Sequence, residues 1–167
     1  DNVFALESLV LTAGAAVEIL STTNHGGTAD INLTGNEFGQ AVIGNAGGNV
    51  LDGKGGQDAL VGLGGADAFT FTSALGPDNI DQIVDMTVGT DKIYLDNTIF
   101  STLGDGALAA GAFRTGAAAI EADDRIIYDS SSGALFYDAD GSGTGAAIQF
   151  ASLSAGLALG AGDFLVI

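Results

Sequence analysis

The chain has 167 residues, in which 4 lysines and arginines stand against 21 aspartates and glutamates, giving a formal net charge of −17. Such a charge argues against nucleic acid and anionic membrane surfaces as direct partners. The absence of cysteine excludes disulfides and thiolate metal sites. A hydrophobic content of 47% excludes a charged disordered tail, and no apolar run approaches the ~20 residues that a membrane-spanning helix needs.

The first 25 residues contain two strand-like runs, Val3 to Thr12 and Val17 to Ser21. We predict capping strands over residues 1–25, because the end of a repeat array exposes apolar surface and unpaired strand edges. The single histidine, His25, is predicted to be a turn residue, and it leaves no zinc protease site or Ser/His/Asp arrangement. A start at Asp1 without a methionine predicts a piece of a longer protein.

A nine-residue repeat follows, and we predict a repeat domain over residues 26–79. Its first position is always glycine: Gly26, Gly35, Gly44, Gly53 and Gly62. Its eighth position is always large and apolar: Leu33, Val42, Leu51, Leu60 and Phe69. This pattern predicts stacked coils whose short strands bury the eighth residue. The copies that begin at Gly53 and Gly62 come closest to G-G-x-G-x-D-x-U-x, where U is a large apolar residue.

The composition of each repeat indicates a calcium site. Three glycines within six positions allow a tight turn that leaves several carbonyls pointing at one spot. An aspartate at position 6 adds a carboxylate at the same end of the repeat. Carbonyl and carboxylate oxygens suit a hard cation, and many ligands in a flexible loop suit Ca²⁺ better than Mg²⁺. We therefore predict Ca²⁺ as the bound ion.

The repeats resemble those of the RTX (repeats-in-toxin) family, and the chain is similar to the C-terminal region of serralysin-type metalloproteases and related exported proteins. The resemblance implies an all-β fold: a right-handed parallel β-roll with flanking N-terminal strands and, over residues 80–167, a C-terminal antiparallel β cap. In that family two repeats make one coil, and each calcium ion lies between repeat n and repeat n+2.

The resemblance also implies the calcium ligands. One ion would lie among Gly44, Ala46, Asn49, Leu63, Gly65 and Asp67, and another among Gly35, Glu37, Gln40, Lys54, Gly56 and Asp58. Residues 81–95 are similar to the segment that follows the family's repeats, with Met86 in place of an aromatic residue. Asp81 would close a final site with Gly62, Gly64 and Asp67, or with Gly53, Gly55 and Asp58 if the coil is staggered. The alternative is that Asp78, Asp81 and Asp85 are solvated charges at strand ends.

The sixth position of the repeats departs from the family pattern. It reads Ile31, Gln40, Asn49, Asp58 and Asp67, so an acid occurs only in the last two copies. We therefore expect few ions, bound near Asp58 and Asp67. The first turns are expected to rely on apolar packing with little or no metal.

Beyond the repeats we predict a few further strands. Residues 81–95 are predicted to form two strands joined near Gly89 and Thr90, with Ile83, Ile93 and Leu95 buried. Residues 125–129 and 134–138 are predicted to pair as a hairpin, and residues 147–151 are a further strand candidate. The acidic loop from Asp138 to Gly143 resembles half a calcium loop, but an Asp-Gly turn explains it more simply, since it lacks the downstream glutamate of an EF-hand.

The chain ends with Asp163-Phe164-Leu165-Val166-Ile167. These residues resemble the extreme C-terminal motif of serralysin-like proteins exported by type I secretion, which implies a type I exporter as a partner. The alternative is a last strand that docks on a sheet, and the two are compatible.

These observations predict a calcium-binding, non-catalytic module of a bacterial-type exported protein that folds on extracellular calcium and is secreted. Any catalytic domain would lie upstream. The alternative is a polysaccharide-binding module that resembles the RTX modules of alginate epimerases, although the scarcity of lysine and arginine argues against an anionic polymer unless calcium bridges it.

Overall fold

The computed structural model describes all residues, 1–167, and it consists of short strands with two 3₁₀ helices and no α-helix. The strands are β1 Asn2–Ala5, β2 Leu9–Val10, β3 Ile19–Thr22, β4 Leu33–Thr34, β5 Ala41–Ile43, β6 Val50–Asp52, β7 Ala59–Val61, β8 Ala68–Phe71, β9 Asp81–Ile83, β10 Lys92–Leu95, β11 Gly106–Ala107, β12 Phe113–Thr115, β13 Ile126–Asp129, β14 Ala134–Tyr137, β15 Ile148–Ser152 and β16 Phe164–Val166. The 3₁₀ helices are Ala110–Ala112 and Ala161–Asp163.

The strands form two mixed sheets. Sheet A has nine strands in the order β1-β3-β5-β7-β9-β15-β14-β13-β12, and sheet B has seven in the order β11-β16-β10-β8-β6-β4-β2. From β1 to β10 successive strands alternate between the two sheets, and each pairs in parallel with the strand two places along the chain. The prediction of a mostly β fold is confirmed.

One hydrophobic core lies between the two sheets. The eighth residues of the repeats supply it from both sides: Val42 and Leu60 come from sheet A, and Leu33, Leu51 and Phe69 come from sheet B. All five are fully buried. A strand of two to four residues is too short to bury a core by itself, so the core forms only when neighbouring coils stack.

The N-terminal residues join both sheets. The run predicted from Val3 to Thr12 is divided into β1, which pairs with β3 in sheet A, and β2, which pairs with β4 in sheet B. The chain therefore changes sheet over residues 6–8, between the two short strands. Residues 1–25 contribute the first strands of the alternating pattern.

The predicted antiparallel C-terminal cap is wrong as a description of residues 80–167. β9 and β10 continue the parallel pairing, β16 lies parallel to β10, β15 lies parallel to β9, and β12 lies parallel to β13. Only β13, β14 and β15 form an antiparallel set, with one further antiparallel pair between β11 and β16. The physical reason is that β9 and β10 would otherwise present unpaired edges, which β15 and β16 cover.

Aromatic packing joins this region to the rest of the core. Phe150 on β15 contacts Phe71 on β8 edge to face, with ring centroids 5.1 Å apart, and it contacts Phe100 at the same distance. The hairpin predicted over residues 125–138 is confirmed as β13 and β14, and the strand predicted at 147–151 is confirmed as β15.

Candidate metal site between the stacked turns

The turns between strands stack along the two edges of the fold. The A-edge stack contains the turns that follow β3, β5, β7 and β9, residues 23–32, 44–49, 62–67 and 84–91. The B-edge stack contains the turns that follow β2, β4, β6 and β8, residues 11–18, 35–40, 53–58 and 72–80, and Asp81, the first residue of β9, borders its last turn. We call the space between two successive turns of one stack a gap. Each stack therefore has three gaps.

A regular hydrogen bond crosses the second gap of each stack. The backbone N–H of Gln40 donates to Oδ1 of Asp58 at 2.6 Å, and the backbone N–H of Asn49 donates to Oδ1 of Asp67 at 2.8 Å. Each bond joins the sixth residue of one repeat to the sixth residue of another, 18 residues later in the chain. The repeats that sequence reasoning paired through a shared ion are therefore neighbours in space.

The same bond crosses the third gap of each stack. The N–H of Asp58 donates to Oδ1 of Asp81 at 3.1 Å, and the N–H of Asp67 donates to Oδ1 of Asp91 at 2.9 Å. Asp81 thus faces the turn of Gly53, Gly55 and Asp58, which corresponds to the staggered alternative. The turn of Gly62, Gly64 and Asp67 faces Asp91 instead.

Asp58 is the most unusual carboxylate in the molecule. Its side chain is buried, and Oδ2 has no hydrogen-bond partner. Burial raises the pKa of Asp58 to about 8, the N–H of Gln40 opposes that rise, and the nearby charges of Asp81 and Asp52 add to it. A buried carboxylate oxygen without a donor is costly unless a proton or a cation compensates it.

Two other acids in the gaps share this environment. Burial is the main cause that raises the pKa of Asp81 to about 7, and the charge of Asp52 contributes to the rise. Burial likewise raises the pKa of Asp67 to about 6, with further contributions from the charges of Asp91 and Asp85. Buried acids of like charge therefore line successive turns with few counter-charges nearby.

The repeats that begin at Gly53 and Gly62 share one turn conformation. Position 2 has a left-handed backbone in both, with φ of 71° at Lys54 and at Leu63. Position 4 is glycine with φ of 99° at Gly56 and 109° at Gly65. A Cβ at Gly65 would collide with the backbone carbonyl of Gly47 in the turn before it. Glycine is thus required at position 4 both by backbone angle and by the closeness of the stacked turns.

The remaining predicted ligands lie in the same turns but face different neighbours. The turn of Gly44, Ala46 and Asn49 stacks on that of Leu63, Gly65 and Asp67. The carbonyl of Gly44 accepts the hydroxyl of Thr22, at the end of β3, at 2.6 Å. The Glu37 side chain accepts the backbone N–H of Gly14 in the preceding turn at 2.7 Å. The ammonium of Lys54 donates to Thr72 and pairs with Asp52 at 3.1 Å.

Side-chain amides cross the first gap of each stack. The sequence predicted that the first turns rely on apolar packing, and these hydrogen bonds are an addition to it. Asn45 and Asn49 donate to the carbonyls of Ala29 and Ile31, and Asn36 donates to the carbonyls of Thr12 and Ala15. The resemblance implied that the amides at position 6, Gln40 and Asn49, are calcium ligands, and no prediction was made for the asparagines at position 2.

Asp91 is the acid that sequence reasoning missed. The signal is present: Asp81-Gln82-Ile83 and Asp91-Lys92-Ile93 repeat the last part of the nonapeptide, an acid two places before a large apolar residue. Ile83 lies opposite Leu60 and Ile93 lies opposite Phe69, so both continue the row of core residues. Asp85 has another role here, since its two oxygens accept the N–H groups of Gly62 and Leu63.

The other acidic segments are arranged as turns or caps. In the loop after β14 the backbone N–H of Asp140 donates to Asp138, and the N–H of Gly145 donates to Asp140. At the C-terminus Asp163 is buried and accepts the N–H groups of Gly89 and Gly160. The last strand, β16, docks between β10 and β11 in sheet B.

The second and third gaps are bordered by carboxylate oxygens that accept backbone N–H groups of the neighbouring turn. No group of three or more acidic, histidine or cysteine side chains is gathered in a way that could hold a metal ion by itself. The donors that the gaps offer are carboxylates at the sixth position together with carbonyls of the glycine-rich turns, which is a set of oxygen atoms suited to calcium. The unpartnered Oδ2 of Asp58 fits such an ion.

Comparison with known proteins adds no relative: the chain matches no family model and no curated protein. The structure contains no helix with the length and apolar character needed to span a membrane.

Proposed function

We propose that this chain is a calcium-binding, non-catalytic module that folds as a right-handed parallel β-roll of the RTX type. The observation that carries the proposal is the buried Oδ2 of Asp58, which lies against Gly53 of its own turn and has no hydrogen-bond partner. The alternation of strands between two sheets and the nine-residue period support the β-roll.

A divalent cation bound near Asp58 has two favourable electrostatic effects. It compensates the buried charge of Asp58, and it counters the mutual repulsion of Asp58 and Asp81, which face each other across the third gap of the B-edge stack. The cation also reduces the self-repulsion of a chain whose formal net charge is −17. Sites of this kind with dissociation constants of ~10⁻⁴ to 10⁻³ M match extracellular calcium.

The proposal extends to where the module acts. It belongs to an exported protein, and its later coils, from Asp58 onward, stay unfolded where calcium is scarce and fold outside the cell, because metal binding to a site that forms only on folding contributes directly to folding free energy. The segment Asp163 to Ile167 serves as the type I secretion signal before folding and as strand β16 afterwards. Export of a reporter fused to residues 80–167, with and without the last five residues, tests this part.

The test of the calcium proposal compares the thermal midpoint in millimolar Ca²⁺ with that in chelator. We expect Ca²⁺ to raise the midpoint by at least several degrees, since a ligand that binds only the folded state stabilises it by mass action. Mg²⁺ at the same concentration and NaCl at the same ionic strength are the controls. Equal midpoints in Ca²⁺, Mg²⁺ and NaCl would show that general screening of charge explains the effect, and would overturn the proposal.

The polysaccharide-binding alternative stays a separate prediction. Titration with neutral and anionic glycans, each in the presence of Ca²⁺ and of chelator, discriminates it. Saturable binding at millimolar or lower glycan concentration would favour that function. Calcium-dependent folding without any glycan binding would favour the module proposed here.

A further inference from the structure

The amide side chains in the first gaps stand where the later repeats carry acids. Position 6 is Gln40 and Asn49 in the repeats that precede Asp58 and Asp67. Position 2 is Asn36 and Asn45 in those repeats, whereas it is Lys54 and Leu63 in the later ones. The change from amide to acid therefore coincides with the change in turn conformation between the early and the late repeats.

On the A edge the two asparagines of one repeat act as a pair. The backbone N–H of Asn45 donates to Oδ1 of Asn49 at 2.8 Å, and the amide of Asn49 donates back to Oδ1 of Asn45 at 3.1 Å. Each then has a second N–H that reaches the preceding turn, to Ala29 at 2.9 Å and to Ile31 at 2.8 Å. Both asparagines are 1% exposed.

The B edge repeats this arrangement with a longer side chain. Oε1 of Gln40 accepts the backbone N–H of Asn36 at 3.2 Å, and the amide of Gln40 donates to Oδ1 of Asn36 at 2.6 Å. The amide of Asn36 reaches the carbonyls of Thr12 and Ala15 at 3.0 and 2.8 Å. In both stacks a neutral N–H donor thus meets carbonyls that point into the gap.

We propose that these amides replace a cation in the first gap of each stack, so that the coils formed by residues 1–49 stay folded when calcium is withdrawn. A carbonyl that points into a gap needs either a cation or a hydrogen-bond donor, and the amides supply the donor permanently. The calcium-dependent part then begins at Asp58. This inference rests on the proposed calcium function only for the later gaps.

The consequence is a division of the fold into a permanent part and a conditional part. The early coils bury Leu20, Leu33 and Val42 and carry no acid at position 6, so no charge has to be compensated there. They offer the edges of β4 and β5 as a template on which the later strands can pair once calcium arrives. Such a template lowers the entropic cost of ordering each added coil.

Hydrogen exchange of the full chain in Ca²⁺ and in chelator tests the inference. In chelator the amides of strands β3 and β5 are expected to remain protected, while those of β7 and β9 exchange at least about tenfold faster than in Ca²⁺. Equal loss of protection in all four strands would overturn the inference.

Two substitutions test the role of the amides directly. Asn45→Asp and Asn49→Asp keep the accepting oxygen but remove the N–H that reaches Ala29 or Ile31, so exchange of β3 and β5 in chelator should rise on the order of tenfold. Asn32→Asp is the control for the change of charge: Asn32 lies beside the same gap but is exposed, and its side chain only accepts a hydrogen bond, from the N–H of Val50. The inference fails if the three variants behave alike.

These measurements separate the two proposals. If Ca²⁺ alters exchange nowhere, the calcium function is lost, yet the difference between Asn45→Asp and Asn32→Asp in chelator still decides the role of the amides. If Ca²⁺ protects β7 and β9 but Asn45→Asp has no effect on β3 and β5, the calcium function stands and the amide inference is overturned.

Discussion

The backbone N–H of Asn49 donates to Oδ1 of Asp67 at 2.8 Å, across a separation of 18 residues, which is two repeats. The bond gives the buried carboxylate of Asp67 one donor from the preceding turn. Gln40 and Asp58 are related in the same way on the opposite edge. Because each acid is positioned by the turn before it, the geometry of a gap depends on both repeats that border it.

The substitution Asp58→Asn should have opposite effects on the metal-free and the calcium-bound protein. In chelator the variant is expected to melt at a higher temperature than the parent, because it no longer has to bury a charge or take up a proton on folding at Asp58, whose Oδ2 has no partner. In Ca²⁺ it should lose most of the stabilisation by the ion, and its calcium affinity should fall by at least about tenfold, since ligand charge tunes affinity. Thermal melts and calorimetric titration measure both effects.

Asp78→Asn is the matched control for this prediction. Asp78 is exposed and lies on the last turn of the B-edge stack. The same change of charge there should alter the free energy of unfolding by no more than about 0.5 kcal/mol, both in chelator and in Ca²⁺. A common shift of both variants would show that net charge, and not the site, governs stability.

The stability of the metal-free protein should fall as pH rises. The pKa values of Asp58, Asp81 and Asp67 are raised in the folded state to about 8, 7 and 6 from the usual 3.8. Between these limits the folded state binds more protons than the unfolded state, so stability is greatest below the unfolded pKa and is lost as pH rises through the folded values. We expect a loss of at least ~1 kcal/mol between pH 5 and pH 8, or ~2–4 °C for a chain of this size.

Calcium should reverse that dependence. The ion needs ionised carboxylates, so the stabilisation that it provides is expected to shrink on acidification from pH 8 to pH 5, and binding should release protons. Midpoints measured across this range in Ca²⁺ and in chelator check the prediction. Stabilisation by Ca²⁺ that is as large at pH 5 as at pH 8 would contradict this prediction. A metal-free protein that is more stable at pH 8 than at pH 5 would contradict the preceding one.

Gly65→Ala should be strongly destabilising. Its φ of 109° is a conformation that side chains rarely adopt, and a Cβ would collide with the backbone of Gly47. We expect a loss of about 2–4 kcal/mol from strain and displaced backbone. Gly104→Ala is the control: no atom lies within 4 Å of its Cβ position, so its effect should stay within about 0.5 kcal/mol. Denaturant unfolding in Ca²⁺ measures both, and similar losses would contradict the close stacking of turns.

Asp163→Ala should loosen the C-terminal strand. Asp163 is buried and accepts hydrogen bonds from the N–H groups of Gly89 and Gly160, which lie on different segments. Loss of both acceptors is expected to cost about 1–3 kcal/mol of unfolding free energy. The exposed Asp123, changed to alanine, should have little effect. Unchanged exchange rates of β16 in Asp163→Ala would show that this residue does not fix the strand.

The repeat itself could be predicted from the sequence because its period is strict. A glycine every nine residues and an apolar eighth residue are sufficient to place Leu33, Val42, Leu51, Leu60 and Phe69 in one core. The neighbouring position of Asp58 and Gln40, and of Asp67 and Asn49, follows from the same period.

The period fails beyond residue 70, and prediction fails with it. Asp81 lies 23 residues after Asp58, and Asp91 lies 24 after Asp67, so the extra residues hide the continuation of both stacks. The pairing of β15 and β16 with β9 and β10 joins segments about 70 residues apart, and no local pattern encodes it. The role of Asn45 was also hidden, because its second N–H bonds to a carbonyl whose direction only the folded backbone fixes.

The alternation of strands between the two sheets has a consequence for changes in chain length. Removing or adding 18 residues would shorten or lengthen the molecule by one whole circuit and keep every later strand in its own sheet. A change of nine residues would instead move each later strand to the opposite sheet and send Asp81 and Asp91 to each other's edges. Natural or designed variants of this chain should therefore differ in length by whole circuits and not by single repeats.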